Sequence, residues 1–105
     1  MHTDLICWQL SDELRRLIIE QTADRTAAAR DERFRSNLRD AIASACRNPY
    51  FNTARASLGE TKDGITDGTE RQYFGAEVAA RMRALCRRAT VANLRFLKSL
   101  NRPDP

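Results

Sequence analysis

Histidine is nearly missing from this sequence: His2 is the only one. That removes the usual general base and most metal-site designs. Cysteine is scarce and scattered, with Cys7, Cys46 and Cys86 about forty residues apart and no CxxC pair. An odd, dispersed set argues against a disulfide framework and against a zinc site; it fits small buried thiols in a reduced compartment. Three prolines, at 49, 103 and 105, leave long windows uninterrupted. Strand-type alternation is absent, and no apolar run approaches the ~20 residues that span a bilayer. The opening MHTDLICWQL has an acid and a Trp where a signal peptide has basic residues and a long apolar core. The chain therefore reads as cytoplasmic, without a membrane partner.

What is present fits one domain, residues 1–105, of 42% apolar and 30% charged composition. That balance is neither disordered nor membranous. Net charge is +4 but uneven. Residues 1–77 carry 11 Lys+Arg against 13 Asp+Glu, giving −2, whereas residues 78–105 carry 7 against one acid, giving +6. Sixteen of the eighteen cations are Arg, the residue suited to bidentate phosphate contacts.

Four windows show helical spacing. Cys7, Leu10, Leu14, Leu17 and Ile18 form one stripe, with Thr3 or Asp4 as the candidate cap. TADRTAAAR reads as a loop feeding a second helix striped by Phe34, Leu38, Ala41, Ile42 and Ala45, with Asp31 either its cap or, together with Glu32, an acid pair that favours the N-terminal dipole. The third stripe is Phe51, Ala54, Leu58, Thr61 and Ile65, with Asn48 as cap, Pro49 in the first turn, and Gly64 and Gly68 as candidate stops. The fourth, Val78, Met82, Leu85, Ala89, Ala92, Phe96 and Leu100, is closed by Pro103. Helices over 4–22, 31–47, 49–67 and 76–101 predict an all-α, antiparallel up-down four-helix bundle. The small-residue run ARASLGET (residues 54–61) then reads as helix–helix contact through Ala54, Ala56, Ser57 and Gly59. It lacks the glycine spacing and Lys of a phosphate loop.

CWQLSDELRRLI, RDERFRSNLRDAIASACRN, ARASLGETKDGITDG and RRATVANLRFLKSL follow one another in that order. Together they resemble the four-helix bundle family encoded in intervening sequences of large-subunit ribosomal RNA genes, which includes the accessory proteins of diversity-generating retroelements. The most specific parts are Trp8-Gln9, Ser44 to Asn48 and Ala54 to Thr61. The resemblance implies a cytoplasmic, non-enzymatic bundle, a ring-shaped homopentamer, nucleic-acid binding through a basic surface, and association with a reverse transcriptase. The chain departs from the family after Asn48, where about a dozen residues of helix are missing, several turns at ~1.5 Å per residue. A third helix shorter than its partners is expected from this. So is self-association, because Tyr50, Phe51, Ile65 and Phe74 would lack cover.

The last helix carries the candidate site. Arg81, Arg88 and Arg95 are seven apart, Lys98 and Arg102 extend their edge, and Arg83 and Arg87 form a second one. Three uses fit such a row: a solvated face, nucleic-acid backbone binding, or ion pairs with Asp12, Glu13, Asp24 or Asp31 of a neighbouring subunit. Together with the resemblance, the row favours a non-enzymatic, self-associating bundle that binds RNA or DNA backbone; an oligomeric scaffold without a nucleic-acid role is the alternative. Trp8, Phe34 and Phe96 read as core, while Tyr50 and Tyr73 sit near turns and could reach solvent. Glu60, Asp63 and Asp67 share a helix but have no His to join them, and Ser44 and Ser57 have no base partner, so neither catalysis nor a cofactor or metal is expected.

Overall fold

The computed structural model describes residues 2–48 and 52–100, with side chains over 6–48 and 52–99. It contains α1 (His2–Gln21), α2 (Glu32–Arg47), α3 (Asn52–Glu70) and α4 (Ala76–Leu100), with a 3-10 turn at Ala27–Arg30. No strand occurs among the described residues. The chain is an all-α bundle in which each helix packs on two neighbours: α1 on α2 and α4, α3 on α2 and α4. The α1–α4 and α2–α3 pairs therefore form opposite faces.

The apolar stripes account for this. Cys7, Leu10, Leu14, Leu17 and Ile18 are all buried, as are Phe34, Leu38, Ala41, Ile42 and Ala45, and Ala54, Leu58, Thr61 and Ile65. On α4, Met82, Leu85, Ala89 and Ala92 are buried, together with a second row of Ala79, Cys86 and Asn93. The three cysteines are thiols outside any disulfide, and burial pushes the Cys46 thiol up to about 11.

Helix boundaries differ from the sequence reading at several points. Helix α1 begins before Thr3 and Asp4, so neither caps it. Asn48 closes α2, its N–H donating to the Ser44 carbonyl at 3.2 Å, and α3 starts only at Asn52. Pro49, Tyr50 and Phe51 lie outside the described residues. With 19 residues, α3 is shorter than α1 (20) and α4 (25) but longer than α2 (16).

The glycines change roles. Gly64 and Gly68 lie inside α3 instead of stopping it, because neighbours press on them. A Cβ on Gly64 would stand 2.8 Å from Leu38 Cδ1, and one on Gly68 would stand 2.5 Å from the Phe74 ring and 2.7 Å from the Phe34 ring. Gly59, by contrast, faces open space, so it mediates no close approach. Within ARASLGET, Ala54 and Ser57 are buried but Ala56 is exposed. The true stop is a Schellman-type closure after Glu70. The Tyr73 N–H donates to the Gly68 carbonyl (2.8 Å) and the Gln72 N–H to that of Thr69 (3.0 Å), with Gln72 left-handed at φ 64°.

That closure delivers Tyr73 and Phe74 onto the start of α2. The rings of Phe34 and Tyr73 meet edge-to-face at 5.0 Å, and Phe74 lies 5.9 Å from Phe34. Phe74 and Ile65 are buried, so the bundle covers both without a partner. Asp31 caps α2 as the sequence suggests, accepting from the Phe34 N–H at 3.1 Å, and it also accepts from the Tyr73 hydroxyl at 2.7 Å and from Arg71 at 3.2 Å. The Tyr73 hydrogen bond, then that from Phe34, holds the Asp31 carboxyl below its ordinary 3.8. Arg39 braces the far end of α1, donating to Thr22 Oγ1 (2.9 Å) and to the Ile19 carbonyl (3.2 Å).

Two predictions follow from this packing. Gly59→Ala should stabilise the fold by up to ~1 kcal/mol through helix propensity, while Gly68→Ala should destabilise it by about 1–3 kcal/mol through overpacking; urea unfolding measures both, and equal effects would contradict the assignment. Because folded Asp31 binds its proton less tightly than the unfolded chain does, its contribution is complete above 3.8 and is lost as pH falls through the lowered folded value. Tyr73→Phe should therefore cost stability at neutral pH, with the gap to wild type closing in acid; a pH-independent gap would remove Asp31 from the account.

Candidate nucleic-acid interface

Helix α4 is held from two sides. The Cys7 thiol of α1 donates to the Ala89 carbonyl at 3.8 Å, and the Cys86 thiol donates to the Leu58 carbonyl of α3 at 3.3 Å. With those flanks buried, the third carries the basic side chains. Arg81, Arg83, Arg87, Arg88, Arg95 and Lys98 are all exposed, and Arg102 lies outside the described residues.

The structure brings three of the expected residues together. Arg87, Arg88 and Arg95 line a shallow groove of about 300 Å³ between α1 and α4 together with the apolar side chains of Ile6, Leu10, Val91 and Ala92. Arg87 thus belongs with Arg88 and Arg95 and not to a separate edge with Arg83. Among the described residues, no acid lies within 4.0 Å of Arg87, Arg88, Arg95 or Lys98. Arg81 is different: it reaches across to Glu13 of α1 at 3.3 Å, so part of its charge is spent inside the chain.

The four acids expected to serve a neighbouring subunit are engaged within this one. Asp12, itself buried, takes Arg15 (2.9 Å) and Arg16 (2.8 Å). Glu13 takes Arg81, Asp24 meets Arg35 at 3.6 Å, and Asp31 holds Tyr73 and Arg71.

The apolar lining of the groove was missed from sequence. Ile6 is 46% exposed and Val91 41%, since both sit just off the stripes that face the core. The available signal was the spacing Arg87–Val91–Arg95, four residues each way, which sets a β-branched side chain between two guanidinium groups on one flank. Trp8 also departs from expectation: it is 42% exposed, two residues from Ile6 and so on the opposite flank of α1. Phe34 is buried as expected, and Phe96 is half-buried. Tyr73 is half-buried and hydrogen-bonded, whereas Tyr50 lies outside the described residues.

A second concavity, of about 740 Å³, runs between α2 and α3 on the opposite face. Asp40, Glu60, Asp63 and Asp67 form its walls. Among the described residues no three His, Cys, Asp or Glu converge as metal ligands, and no helix is long and apolar enough to cross a membrane. No known family model, curated protein or solved structure matches the chain.

The Glu13–Arg81 pair is exposed on both sides, so its loss should alter stability by less than ~1 kcal/mol. Glu13→Gln should nevertheless free Arg81 and move elution from phosphocellulose to higher salt. Unchanged elution would exclude Arg81 from the basic surface.

Proposed function

We propose that this chain is a non-enzymatic, self-associating, cytoplasmic protein that binds RNA or DNA through the basic flank of α4. One observation carries the reading: Arg87, Arg88 and Arg95 stand together, exposed and unopposed by any acid among the described residues, with Lys98 beyond them. Guanidinium groups held this way suit phosphate oxygens, and the binding they give is electrostatic and indifferent to base sequence. Arg81 contributes less, being shared with Glu13. The resemblance to the intervening-sequence bundle family supports the same assignment and brings with it a pentameric ring and a reverse transcriptase as a partner. Three thiols outside any disulfide suit a reduced, cytoplasmic setting.

A second reading, a protein-interaction scaffold without nucleic acid, is favoured by the apolar lining of the same groove. A phosphate backbone has no use for exposed Ile6 and Val91, whereas a protein surface does.

Fluorescence anisotropy with short generic RNA and DNA separates the two. Affinity should fall steeply with salt, and Arg88→Gln with Arg95→Gln should weaken it ~10-fold or more while reducing the salt slope by roughly two. Absence of binding at low salt, or binding that ignores salt, would leave the scaffold reading in its place.

A further inference from the structure

Seven acids make no ion pair among the described residues: Glu20, Glu32, Asp40, Glu60, Asp63, Glu70 and Glu77; three of them share one place. Asp40 of α2 and Glu60 and Asp63 of α3 make no ion pair among the described residues, and all three line the α2–α3 groove. Asp67 stands beside them, tied to Arg71 at 3.0 Å. No Lys or Arg lines this groove, and its floor is built from small groups such as Ala41, Ala56 and Gly64, with Ser57 and Ser44 joined by a 2.8 Å hydrogen bond. Small residues between two helices leave room for the ridge of a third.

The opposite face of the same chain presents such a ridge. Arg88 and Arg95 are seven residues apart on α4, and Glu60 and Asp67 are seven apart on α3, so each pair spans about 10.5 Å along its axis. Between the two arginines stands Val91, exposed and apolar; between the two acids lies Gly64, above the small-residue floor. Charge and spacing correspond.

We infer that the α2–α3 groove receives the basic α4 ridge of a second copy of this chain, with Arg88 and Arg95 set against Glu60, Asp63 and Asp67 and Val91 on the floor. The acids that neutralise the ridge are thus those of α2 and α3, not Asp12, Glu13, Asp24 or Asp31. Donor and acceptor lie on opposite faces of one bundle, so the contact is heterologous and repeats from copy to copy into a ring or a filament. The docking rests on the self-association proposed above and stands without its nucleic-acid part. Where that part also holds, the two compete, because a copy whose Arg88 and Arg95 are docked cannot offer them to phosphate.

Sedimentation velocity of the full chain over a range of concentrations and salt tests this. Wild type should exceed the 12.0 kDa of one chain at low salt and shrink as salt rises. The groove variant, Glu60→Lys with Asp63→Lys, and the ridge variant, Arg88→Glu with Arg95→Glu, should each sediment as single chains with unchanged helical circular dichroism, since all four positions are exposed. Mixed in equal amounts, the two should reassociate into species heavier than either variant alone, because each then meets its opposite charge. A strictly single-chain wild type, a groove variant of wild-type mass, or a mixture that fails to reassociate overturns the inference. Adding a short generic RNA or DNA to wild type should lower the protein assembly mass. If the variants behave as stated but polyanion leaves the mass unchanged, the docking is upheld and the nucleic-acid reading falls.

Discussion

Helix α4 has to bury two rows of side chains at once. Met82, Leu85, Ala89 and Ala92 form one, and Ala79, Cys86 and Asn93 the other. The two sulfur contacts, to the Ala89 carbonyl on the α1 side and the Leu58 carbonyl on the α3 side, mark how closely each flank is held. Burying a cation without a partner is costly. A helix gripped on two flanks therefore has one place left for six basic residues, the outward flank. The basic ridge is a consequence of packing as much as of composition.

The opposite pair of helices is organised by small residues. Gly64 and Gly68 give α3 the clearance to lie against Leu38, Phe34 and Phe74, and the left-handed Gln72 turns the chain so that Tyr73 and Phe74 fall on that same place. Asp31 then serves three donors with one carboxylate: the end of α2, the hydroxyl of Tyr73 and the guanidinium of Arg71. This joins the start of α2 to the α3–α4 turn.

Internal pairing consumes some charges and spares others, and this sorting gives the surface its polarity. Asp12, Glu13, Asp24 and Asp31 are held by arginines of their own chain. Among the described residues, the α1–α4 groove is lined by arginines without an ion pair and the α2–α3 groove by carboxylates most of which have none, while Arg55 and Lys62 of α3 stay unpaired outside that groove. Contacts made through unpaired surface charges weaken as salt rises. The apolar side chains of the basic groove favour a surface that can exclude water, which a phosphate backbone alone does not offer.

The amino-acid sequence by itself determined the helices, the residues facing the core and the concentration of positive charge near the end. These are properties of single segments, written in the spacing of apolar side chains along one backbone. Hence the α2 stripe was legible residue by residue, and so was the Asp31 cap. The tertiary structure alone decided which glycine is pressed and which is open, since Gly59, Gly64 and Gly68 differ only in what lies across from them. It alone decided that Trp8 faces out while Phe74 faces in, and which acids are already paired. Long-range neighbours are fixed by the joint packing of four helices, and no local periodicity records which side chain of a distant segment will stand 3 Å away.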